Sequence, residues 1–259
     1  MNHLIYGIHP VEEALKSNLP IQKLFVGTEK PSPPLQDLLK LARKKEIPVV
    51  VTTRDFLDQV TRGGIHQNIA AALETYHYVD LEEILSRWRR EGSKALILIL
   101  DGIQDPQNLG SLIRTALGCG AHGVVIPKDR AVGITPAVFK ASAGAAAHIP
   151  IARVVNVSRS IDRLKEEGIW VYGATGEADE LIYHLDLNID LAIVIGAEGR
   201  GIRPLVKRKC DRLFSIPMKG PVSSFNASVA AGMVLYEVMR QRALCNKNSK
   251  DSIGWGEKG

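Results

Sequence analysis

The chain has 259 residues, 45% of them hydrophobic and 24% charged, with a formal net charge of +5. That length and composition fit a globular protein with one large domain or two smaller ones, and no apolar run approaches the roughly 18 residues of a membrane-spanning helix. The first residues, MNHLIYGIHPVEEAL, lack the basic and apolar regions of a secretory signal. The mild positive charge agrees with an anionic partner.

The three cysteines, Cys119, Cys210 and Cys245, are widely spaced and odd in number. They form neither a CxxC pair nor a zinc pattern, and the scattered histidines offer no ligand set. We therefore expect a protein of the reducing cytoplasm that uses no metal.

Residues 1 to about 75 are predicted to form a small α/β domain. Strand-like runs alternate with helical patterns, and the glycines of TRGGIHQN mark a turn before the last strand. The strand-like runs are residues 21–27, 47–52 and 68–74, and the helical patterns are residues 9–17 and 33–46. The polar, helix-prone residues 76–93 are interpreted as the linker to a second domain.

Strands and helices alternate from residue 94 to residue 243. The strand runs are almost entirely apolar, which is typical of strands covered by helices on both faces, and so of a mostly parallel sheet. Strands are predicted at 95–101, 123–127, 169–175, 191–198 and 213–217, and helices at 108–117, 136–146, 158–166, 202–209 and 224–242. Residues 244–259 are polar without periodicity, which predicts a flexible tail.

GCGAHG, residues 118–123, matches the GxGxxG pattern of dinucleotide-binding loops. That fingerprint has to follow a strand and open a helix, whereas these residues end a predicted helix and precede a strand. We interpret the glycines as a helix stop and a tight turn.

A first polar motif, DGIQDPQNLGSLIRTALGCGA at residues 101–121, leaves an apolar strand and enters a helix. Asn108 is predicted to cap that helix, and Gly110 allows a close approach. Arg114 lies six residues beyond Asn108, so the two do not share a helix face by i, i+4 spacing. A surface arginine is the alternative interpretation.

A second motif, VIGAEGRGI at residues 194–202, follows a strand and precedes a helix. Its glycines let a ligand approach the backbone closely, at the carboxyl end of a strand, where open α/β sheets bind ligands. Glu198 can hold a cation, orient an arginine or cap the helix. An ordinary glycine-rich turn is the alternative.

A third motif, SIPMKGPVSSFNASVAAGMVLYEVMRQR at residues 215–242, runs from a strand into a long helix. Ser223, Ser224 and Asn226 are good N-cap residues, so they can simply start that helix. The small residues that would let the helix pack closely are Ala227, Ala230, Ala231 and Gly232. Because all three motifs follow strands of one predicted sheet, we expect them to lie together.

The three motifs resemble those of the SpoU (TrmH) class of SPOUT methyltransferases, in order and at the expected separations. DPQNLGSLIRTALGCGA is similar to motif 1, LAIVIGAEGRGIRP to motif 2 and IPMKGPVSSFNASVAAG to motif 3. The N-terminal unit, with YGIHPVEEAL and GIHQNIAA, resembles the L30e-like substrate-binding domain of that class. The phrases PKDRAVGITP and TGEADE favour the bacterial 23S rRNA (guanosine-2'-O-)-methyltransferases over the shorter tRNA enzymes.

The resemblance implies a SPOUT α/β-knot, which is a trefoil-knotted, mostly parallel sheet flanked by helices, preceded by a small L30e-like α/β domain. The expected boundaries are a substrate-binding domain at 1–75, a linker at 76–93, a methyltransferase domain at 94–243 and a tail at 244–259. A homodimer with active sites near its interface is also implied, and no membrane.

The implied methyl donor is S-adenosyl-L-methionine, held bent and largely by backbone groups. Its implied contacts are Thr175, Gly176, Gly196, Gly199, Ile216, Met218 and Phe225. The implied reaction transfers the methyl group to the ribose 2'-hydroxyl of a guanosine in the peptidyl-transferase region of 23S rRNA.

The implied catalytic residues are Asn108, Arg114, Glu198, Ser224 and Asn226. A guanidinium normally stays protonated, so we expect Arg114 to bind the phosphate beside the target ribose and to stabilise the developing alkoxide. Glu198 is expected to orient Arg114. The other three would fix the ribose and the Arg114 side chain.

The run RGIRPLVKRKCDR, residues 200–212, carries six basic residues and one acid. It is expected to contact the RNA backbone, with a solvated helix face as the alternative. The expected RNA contacts are Arg200, Arg203, Lys207, Arg208, Lys128, Arg130 and Lys219. His9 and His66 can touch RNA or be ordinary surface or core histidines.

Three other functions compete with this hypothesis. The same chemistry could act on tRNA, and an RNA-binding protein could have lost catalysis, although all five implied catalytic residues are present. A Rossmann oxidoreductase would use VIGAEGRG as its dinucleotide loop. That loop lacks the fingerprint in its proper context and an acid about 20 residues further on.

Overall fold

The computed structural model describes residues 4–16, 20–73, 76–219 and 224–247. These residues form two compact units, the first within residues 1–77 and 134–144 and the second within 78–133 and from 145 onward. The domain boundaries expected from the sequence stay a prediction. Those boundaries place residues 134–144 in the methyltransferase domain, whereas the compact units group these residues with residues 1–77.

The elements are numbered along the chain. The strands are β1 (Leu4–Tyr6), β2 (Ile21–Val26), β3 (Val49–Val51), β4 (Ile69–Leu73), β5 (Leu96–Asp101), β6 (Gly123–Pro127), β7 (Ile151–Val154), β8 (Trp170–Ala174), β9 (Leu191–Gly196) and β10 (Arg212–Phe214). The helices are α1 (Ile8–Lys16), α2 (Pro33–Lys44), α3 (Arg54–Thr61), α4 (Leu81–Glu91), α5 (Pro106–Gly118), α6 (Pro136–Ala141), α7 (Val157–Glu166), α8 (Pro204–Lys209) and α9 (Ala227–Lys247).

The first unit contains a four-stranded sheet in the order β1-β4-β2-β3, in which only the β2–β3 pair is parallel. Its apolar side chains include a buried cluster of Phe25, Leu57, Ala70 and Ala72. The sequence did not predict β1 or α3. The start of α3 is set by Thr53, whose hydroxyl accepts a hydrogen bond from the Phe56 backbone nitrogen, a local signal that periodicity alone does not detect.

The second unit contains a six-stranded, entirely parallel sheet in the order β10-β8-β9-β5-β6-β7. All residues of β5 and β6 are buried, so the predicted mostly parallel sheet with helices on both faces is confirmed. The strand β7 was missed because it is a short edge strand whose IARV sequence includes the exposed Arg153.

Residues 81–91 of the predicted linker form α4, which is part of the second unit. Its buried side chains Leu81, Ile84 and Leu85 belong to the main apolar core of that unit. On the outer face, Arg163 of α7 pairs with Glu82 at 2.7 Å. The helix therefore packs on the sheet and on α7, and the segment does more than connect two domains.

The helix ends also differ from those predicted. The predicted helix at 136–146 is α6, which stops at residue 141, and a short 3-10 turn follows at 145–147. The predicted tail begins inside α9, which continues to Lys247, whereas residues 248–259 lie outside the described residues. GCGAHG ends α5 and leads into β6, so its interpretation as a helix stop is confirmed.

The long helix α9 runs along α5 and β9 and reaches the amino ends of the strands. There the Arg242 guanidinium donates hydrogen bonds to three backbone oxygens, those of Lys94 at 3.0 Å, Ala95 at 2.6 Å and Ile189 at 2.9 Å. Desolvation lowers the pKa of Arg242 from its usual value.

No helix of the described ranges is both long and apolar enough to cross a membrane.

Replacing Arg242 by methionine should lower the free energy of unfolding by about 3 kcal/mol, because three backbone oxygens lose a charged donor. Urea titration followed by circular dichroism measures the loss. The neighbouring Arg240 is the control, since it is exposed and its ion pair among the described residues is with Glu237 on its own helix, and Arg240→Met should change stability little. Equal losses in the two variants would contradict this role for Arg242.

Candidate active site

The three polar motifs meet at the carboxyl edge of the parallel sheet. The Asn226 side-chain nitrogen donates to Oδ1 of Asn108 at 2.9 Å and also to Oε1 of Glu198. These residues come from the third, first and second motif respectively. The expected convergence of the motifs is therefore confirmed by direct hydrogen bonds between side chains 118 and 28 residues apart in sequence.

Asn226 also caps α9. Its side-chain oxygen accepts hydrogen bonds from the backbone nitrogens of Ser228 at 2.9 Å and Val229 at 3.3 Å, and from the Ser228 hydroxyl at 2.6 Å. Both halves of the amide are used, since the oxygen starts the helix and the nitrogen joins the other two motifs. Of the predicted cap residues, Ser224 is exposed and Ser223 lies outside the described residues.

The prediction that Asn108 caps α5 is wrong, because Asp105 holds that position. The Asp105 carboxylate accepts hydrogen bonds from the backbone nitrogens of Gln107 at 2.6 Å and Asn108 at 2.9 Å, and Pro106 follows as the first helical residue. The Asp-Pro pair was the available sequence signal. With capping done by Asp105, the Asn108 side chain accepts from Asn226 instead.

Glu198 lies at the start of α9. Besides the Asn226 amide, its Oε1 accepts a hydrogen bond from the backbone nitrogen of Ala227 at 3.4 Å, the first residue of that helix. The positive end of the helix dipole favours a carboxylate there. Of the three interpretations open from the sequence, helix capping is the one with direct contacts, although the helix is α9 rather than the adjacent α8.

Arg114 is exposed on α5. Among the described residues it has no hydrogen bond or ion pair, and Glu198 contacts Asn226 and Ala227 instead. The expectation that Glu198 orients Arg114 therefore has no contact in the described part of the chain. The exposed Arg114 guanidinium, on the same helix as Asn108, can meet an anionic ligand.

An ion pair between a buried carboxylate and an exposed arginine, which the sequence interpretation missed, fastens the second motif to β5. The Asp101 side chain is fully buried. Its carboxylate accepts hydrogen bonds from the Arg203 backbone nitrogen and from Arg203 Nε, both at 2.8 Å, and its Oδ1 lies 2.5 Å from Arg203 Nη2. Asp101 ends β5 and is paired in register with Gly196, which ends β9. The loop 197–202 is thus held at both ends.

That loop folds back tightly on itself. The backbone nitrogen of Gly201 donates to the Ala197 oxygen at 2.8 Å, and a Cβ added to Gly196 would lie 2.1 Å from the Gly201 carbonyl carbon. At Gly199 the backbone has a φ of 73°, and an added Cβ would meet nothing within 4 Å. Close backbone packing at one glycine and open space at the other suit a ligand held by main-chain groups.

The residues implied to hold the methyl donor follow three strands that are neighbours in the order β10-β8-β9. Thr175 and Gly176 follow β8, Gly196 ends β9 and Gly199 lies in the loop after it, Ile216 and Met218 follow β10, and Phe225 precedes α9. Parallel strands end at one edge, so these six positions share that edge. Their backbone groups and the apolar Met218, 36% exposed, fit a donor with polar and apolar parts.

Most of the basic run 200–212 is neutralised by ion pairs. Arg203 pairs with Asp101, Lys207 with Glu177, Lys209 with Asp162 at 2.7 Å and Arg212 with Glu180 at 2.7 Å. Arg200 and Arg208 are exposed and have no ion pair with a described residue. The run therefore offers fewer cations to a partner than its composition predicts.

The two histidines of the first unit differ. His66 is 5% exposed, with Nε2 3.0 Å from Oδ1 of Asp58, and its Nδ1 accepts a hydrogen bond from the Asn68 backbone nitrogen. It is therefore the core histidine of the alternative interpretation. The His9 side chain is 90% exposed.

Two of the three cysteines, Cys119 and Cys210, are partly buried and poorly suited to nucleophilic chemistry, whereas Cys245 is exposed on α9. Burial raises the pKa of the Cys210 thiol to about 12 and also raises the pKa of Cys119. Each therefore stays a thiol near neutral pH. Within the described ranges, no three histidine, cysteine, aspartate or glutamate side chains form a group that could hold a metal ion.

A parallel sheet with polar side chains and a glycine loop at its carboxyl edge defines an α/β enzyme that binds its ligand there. Residues 95–236 match the model of the SpoU rRNA methylase family, and residues 4–79 match a model described as RNA 2'-O ribose methyltransferase substrate binding. The chain belongs to the SpoU rRNA methylase family, and it is an RNA 2'-O-methyltransferase.

Curated relatives match along almost the whole chain. A Bacillus subtilis (strain 168) protein assigned to the TrmH family of tRNA/rRNA methyltransferases is 45% identical over 92% of this chain and 95% of its own length. The 23S rRNA (guanosine-2'-O-)-methyltransferase RlmB of Coxiella burnetii is 44% identical over 92% of this chain and 95% of its own.

Solved structures show the same fold. The SpoU methyltransferase AviRb from Streptomyces viridochromogenes, in complex with the cofactor AdoMet, has a TM-score of 0.67 and 27% identity over 93% of this chain and 90% of its own. The A. aeolicus TrmH/SpoU tRNA modifying enzyme has a TM-score of 0.54 and 25% identity over 68% of this chain and 90% of its own. The predicted SPOUT fold class is confirmed.

Asn226→Ser should separate the two uses of that side chain. A serine can still cap α9 but has no amide nitrogen to join Asn108 to Glu198, so the urea midpoint should stay near that of the wild type while methyl transfer falls by about tenfold or more. Asn226→Ala loses the cap as well and should cost a further ~1 kcal/mol of stability. A serine variant with the wild-type rate would show that the bridge is dispensable.

Proposed function

We propose that this enzyme transfers a methyl group from S-adenosyl-L-methionine to the ribose 2'-hydroxyl of a guanosine in 23S rRNA. The observation that carries the proposal is the hydrogen-bonded set of Asn108, Glu198 and Asn226 at the carboxyl edge of the sheet. The 44% identity to the Coxiella burnetii enzyme along 92% of the chain supports the choice of substrate.

The reaction needs one electrophile and one hydroxyl in line. S-adenosyl-L-methionine supplies an electrophilic methyl group when it is bound. The ribose oxygen forms the new C–O bond, the C–S bond breaks with its electron pair left on sulfur, and the hydroxyl proton leaves to solvent or a nearby base. The protein therefore has to position two substrates and stabilise charge on the attacking oxygen.

Arg114 is the proposed electrostatic group for that oxygen. It is exposed and unpaired among the described residues, and its guanidinium can hold the phosphate beside the target ribose while stabilising the developing alkoxide. Asn108 and Asn226 are proposed to position the ribose, with Ser224 beside them. Glu198 is proposed to act through Asn226, which it holds, rather than on the substrate directly.

The donor is proposed to bind at the edge formed by the ends of β8, β9 and β10. The tight turn at Gly196 and the open space at Gly199 support this placement. The donor contacts proposed there are Thr175, Gly176, Gly196, Gly199, Ile216, Met218 and Phe225.

The preference for rRNA over tRNA rests on the extent of the chain that is matched. The tRNA modifying enzyme matches 68% of this chain in structure, whereas the 23S rRNA enzyme matches 92% in sequence. The RNA contacts proposed are Arg200, Arg208, Lys128, Arg130 and Lys219, which are all exposed. Arg203 and Lys207 serve in the ion pairs described above. With rRNA as substrate, the reaction takes place in the cytoplasm.

Methyl transfer to protein-free 23S rRNA tests the proposal directly. Labelled S-adenosyl-L-methionine should label one guanosine ribose, mapped by its resistance to alkaline cleavage, and Arg114→Ala should lower the rate by about 10²–10³-fold. Arg90→Ala, which removes an exposed arginine of α4, is the control and should keep the wild-type rate.

Each other result of that assay has a defined meaning. Label on tRNA but none on 23S rRNA would replace the proposed substrate. No label on either RNA, with donor binding absent by calorimetry, would favour an RNA-binding protein without catalysis. An Arg114→Ala enzyme as fast as the wild type would remove Arg114 from the reaction.

A homodimer is proposed from the two apolar faces of α9. One face is buried through Ala227, Ala231, Val234, Leu235 and Val238, and the opposite face exposes the apolar side chains Val229, Met233, Tyr236 and Leu244, with the exposed Arg240 between the last two. Tyr236 is 67% exposed. A helix that is apolar on both sides needs a second partner, and a symmetry-related copy of the same helix supplies one.

Tyr236→Glu should shift the protein from dimer to monomer in sedimentation velocity, because a carboxylate would have to be buried in the interface. Leu205→Glu, at an exposed leucine on α8, is the control and should leave the dimer intact. A wild-type protein that sediments as a monomer at all concentrations would refute the dimer without touching the methyl-transfer proposal.

A further inference from the structure

A second group of exposed cations in the second unit follows β6 and β7, on the opposite side of the active site from the basic run. Lys128 and Arg130 follow β6, and Arg153 and Arg159 lie at the end of β7 and the start of α7. All four are exposed, and none forms an ion pair with a described residue. The one acid within residues 128–133 and 153–159 is Asp129. We call these four cations the β6–β7 patch.

The patch is held in a defined shape by contacts of the backbone. The Lys128 backbone nitrogen donates to the Val154 oxygen at 2.7 Å, and Nη2 of Arg153 donates to the Lys128 oxygen at 2.9 Å. The Arg153 guanidinium also stacks on the Tyr78 ring, 5.3 Å from its centroid. A guanidinium fixed by a cation–π contact and one backbone oxygen keeps its remaining donors for an outside acceptor.

The loop that carries Arg130 borders the catalytic edge. The Val132 backbone nitrogen donates to the Ile103 oxygen at 2.9 Å, and a Cβ added to Gly102 would lie 3.7 Å from the Arg130 oxygen. Gly102 and Ile103 directly follow Asp101, the last residue of β5. Arg130 itself has a φ of 59°, a left-handed conformation that costs a non-glycine residue about 1 kcal/mol.

The strand order gives the patch a direction. The strands β9, β5, β6 and β7 are consecutive neighbours, so the patch continues the line of the site at their carboxyl ends. Neighbouring strands lie about 4.8 Å apart, which places β7 about 14 Å from β9. At the end of β7, Val155 is 78% exposed between the two arginines, and it leaves an apolar surface open to sugar or base.

From these contacts we propose that the RNA strand on one side of the target nucleotide runs across the β6–β7 patch, with its phosphates bound by Lys128, Arg130, Arg153 and Arg159. This inference rests on the proposed RNA substrate and adds Arg153 and Arg159 to its contacts. The neutralised run at 200–212 contributes less, because four of its cations serve internal ion pairs.

The salt dependence of RNA binding tests the β6–β7 patch independently of methyl transfer. The dissociation constant for protein-free 23S rRNA would be measured between about 50 and about 200 mM salt for the wild type, Arg159→Gln and Arg153→Gln/Arg159→Gln. Each lost phosphate contact should flatten the log–log slope by about 0.7 and weaken binding several-fold at low salt. The rate at saturating RNA should stay near that of the wild type.

Arg90→Gln is the matched control, since it removes one exposed arginine from α4, which leads into the amino ends of the strands. It should leave the slope unchanged. Equal flattening in Arg90→Gln and Arg159→Gln would overturn the patch in favour of general charge attraction, and wild-type slopes in both patch variants would overturn it outright. The Arg159 side chain forms no hydrogen bond or ion pair with a described residue, so Arg159→Gln remains informative if the double variant unfolds.

The outcome is separable from that of the proposed function. A wild type that binds rRNA with the expected change of slope in the patch variants, yet labels no rRNA, would refute the reaction and leave the surface standing. A wild type that labels rRNA while the patch variants bind as it does would refute the surface alone.

Discussion

A carboxylate without exposed surface, Asp101, meets the guanidinium and the backbone nitrogen of Arg203 where β5 ends. Burying the Asp101 carboxylate is costly, and the cost is offset because the carboxylate accepts several hydrogen bonds at once from Arg203, whose side chain keeps 43% of its surface exposed. The same contacts fix the far end of the loop 197–202, whose near end is fixed by the pairing of β9 with β5. The position of Glu198, and through it the position of Asn226, depends on that closure.

The second support of the site is the helix α9, which runs from the carboxyl ends of the parallel strands to their amino ends. At its start Asn226 joins the other motifs, and near its end Arg242 binds backbone oxygens beside the first residues of β5 and β9. With about 1.5 Å per residue, its 21 residues span about 30 Å. Catalytic positioning and the stability of the unit are therefore properties of one helix.

The sequence allowed the parallel sheet and the meeting of the three motifs to be predicted, because long apolar runs and polar residues after strands are local patterns. It could not reveal that Arg203 pairs with Asp101, since 102 residues separate them. The same limit explains why the basic run was overvalued: its partners Glu177 and Asp162 become neighbours only after folding. The proline after Asp105 is a sequence signal for a helix cap at Asp105, but the prediction placed the cap at Asn108.

The bridge made by Asn226 also sets an order of events during protein synthesis. Asn108 and Glu198 leave the ribosome first, and neither can be joined until residue 226 has been made and α9 has begun to form. Until then the segments of the site belong to a sheet whose closing helix is missing. A nascent chain that ends before α9 therefore has no assembled site, so methylation requires a chain synthesised past this point.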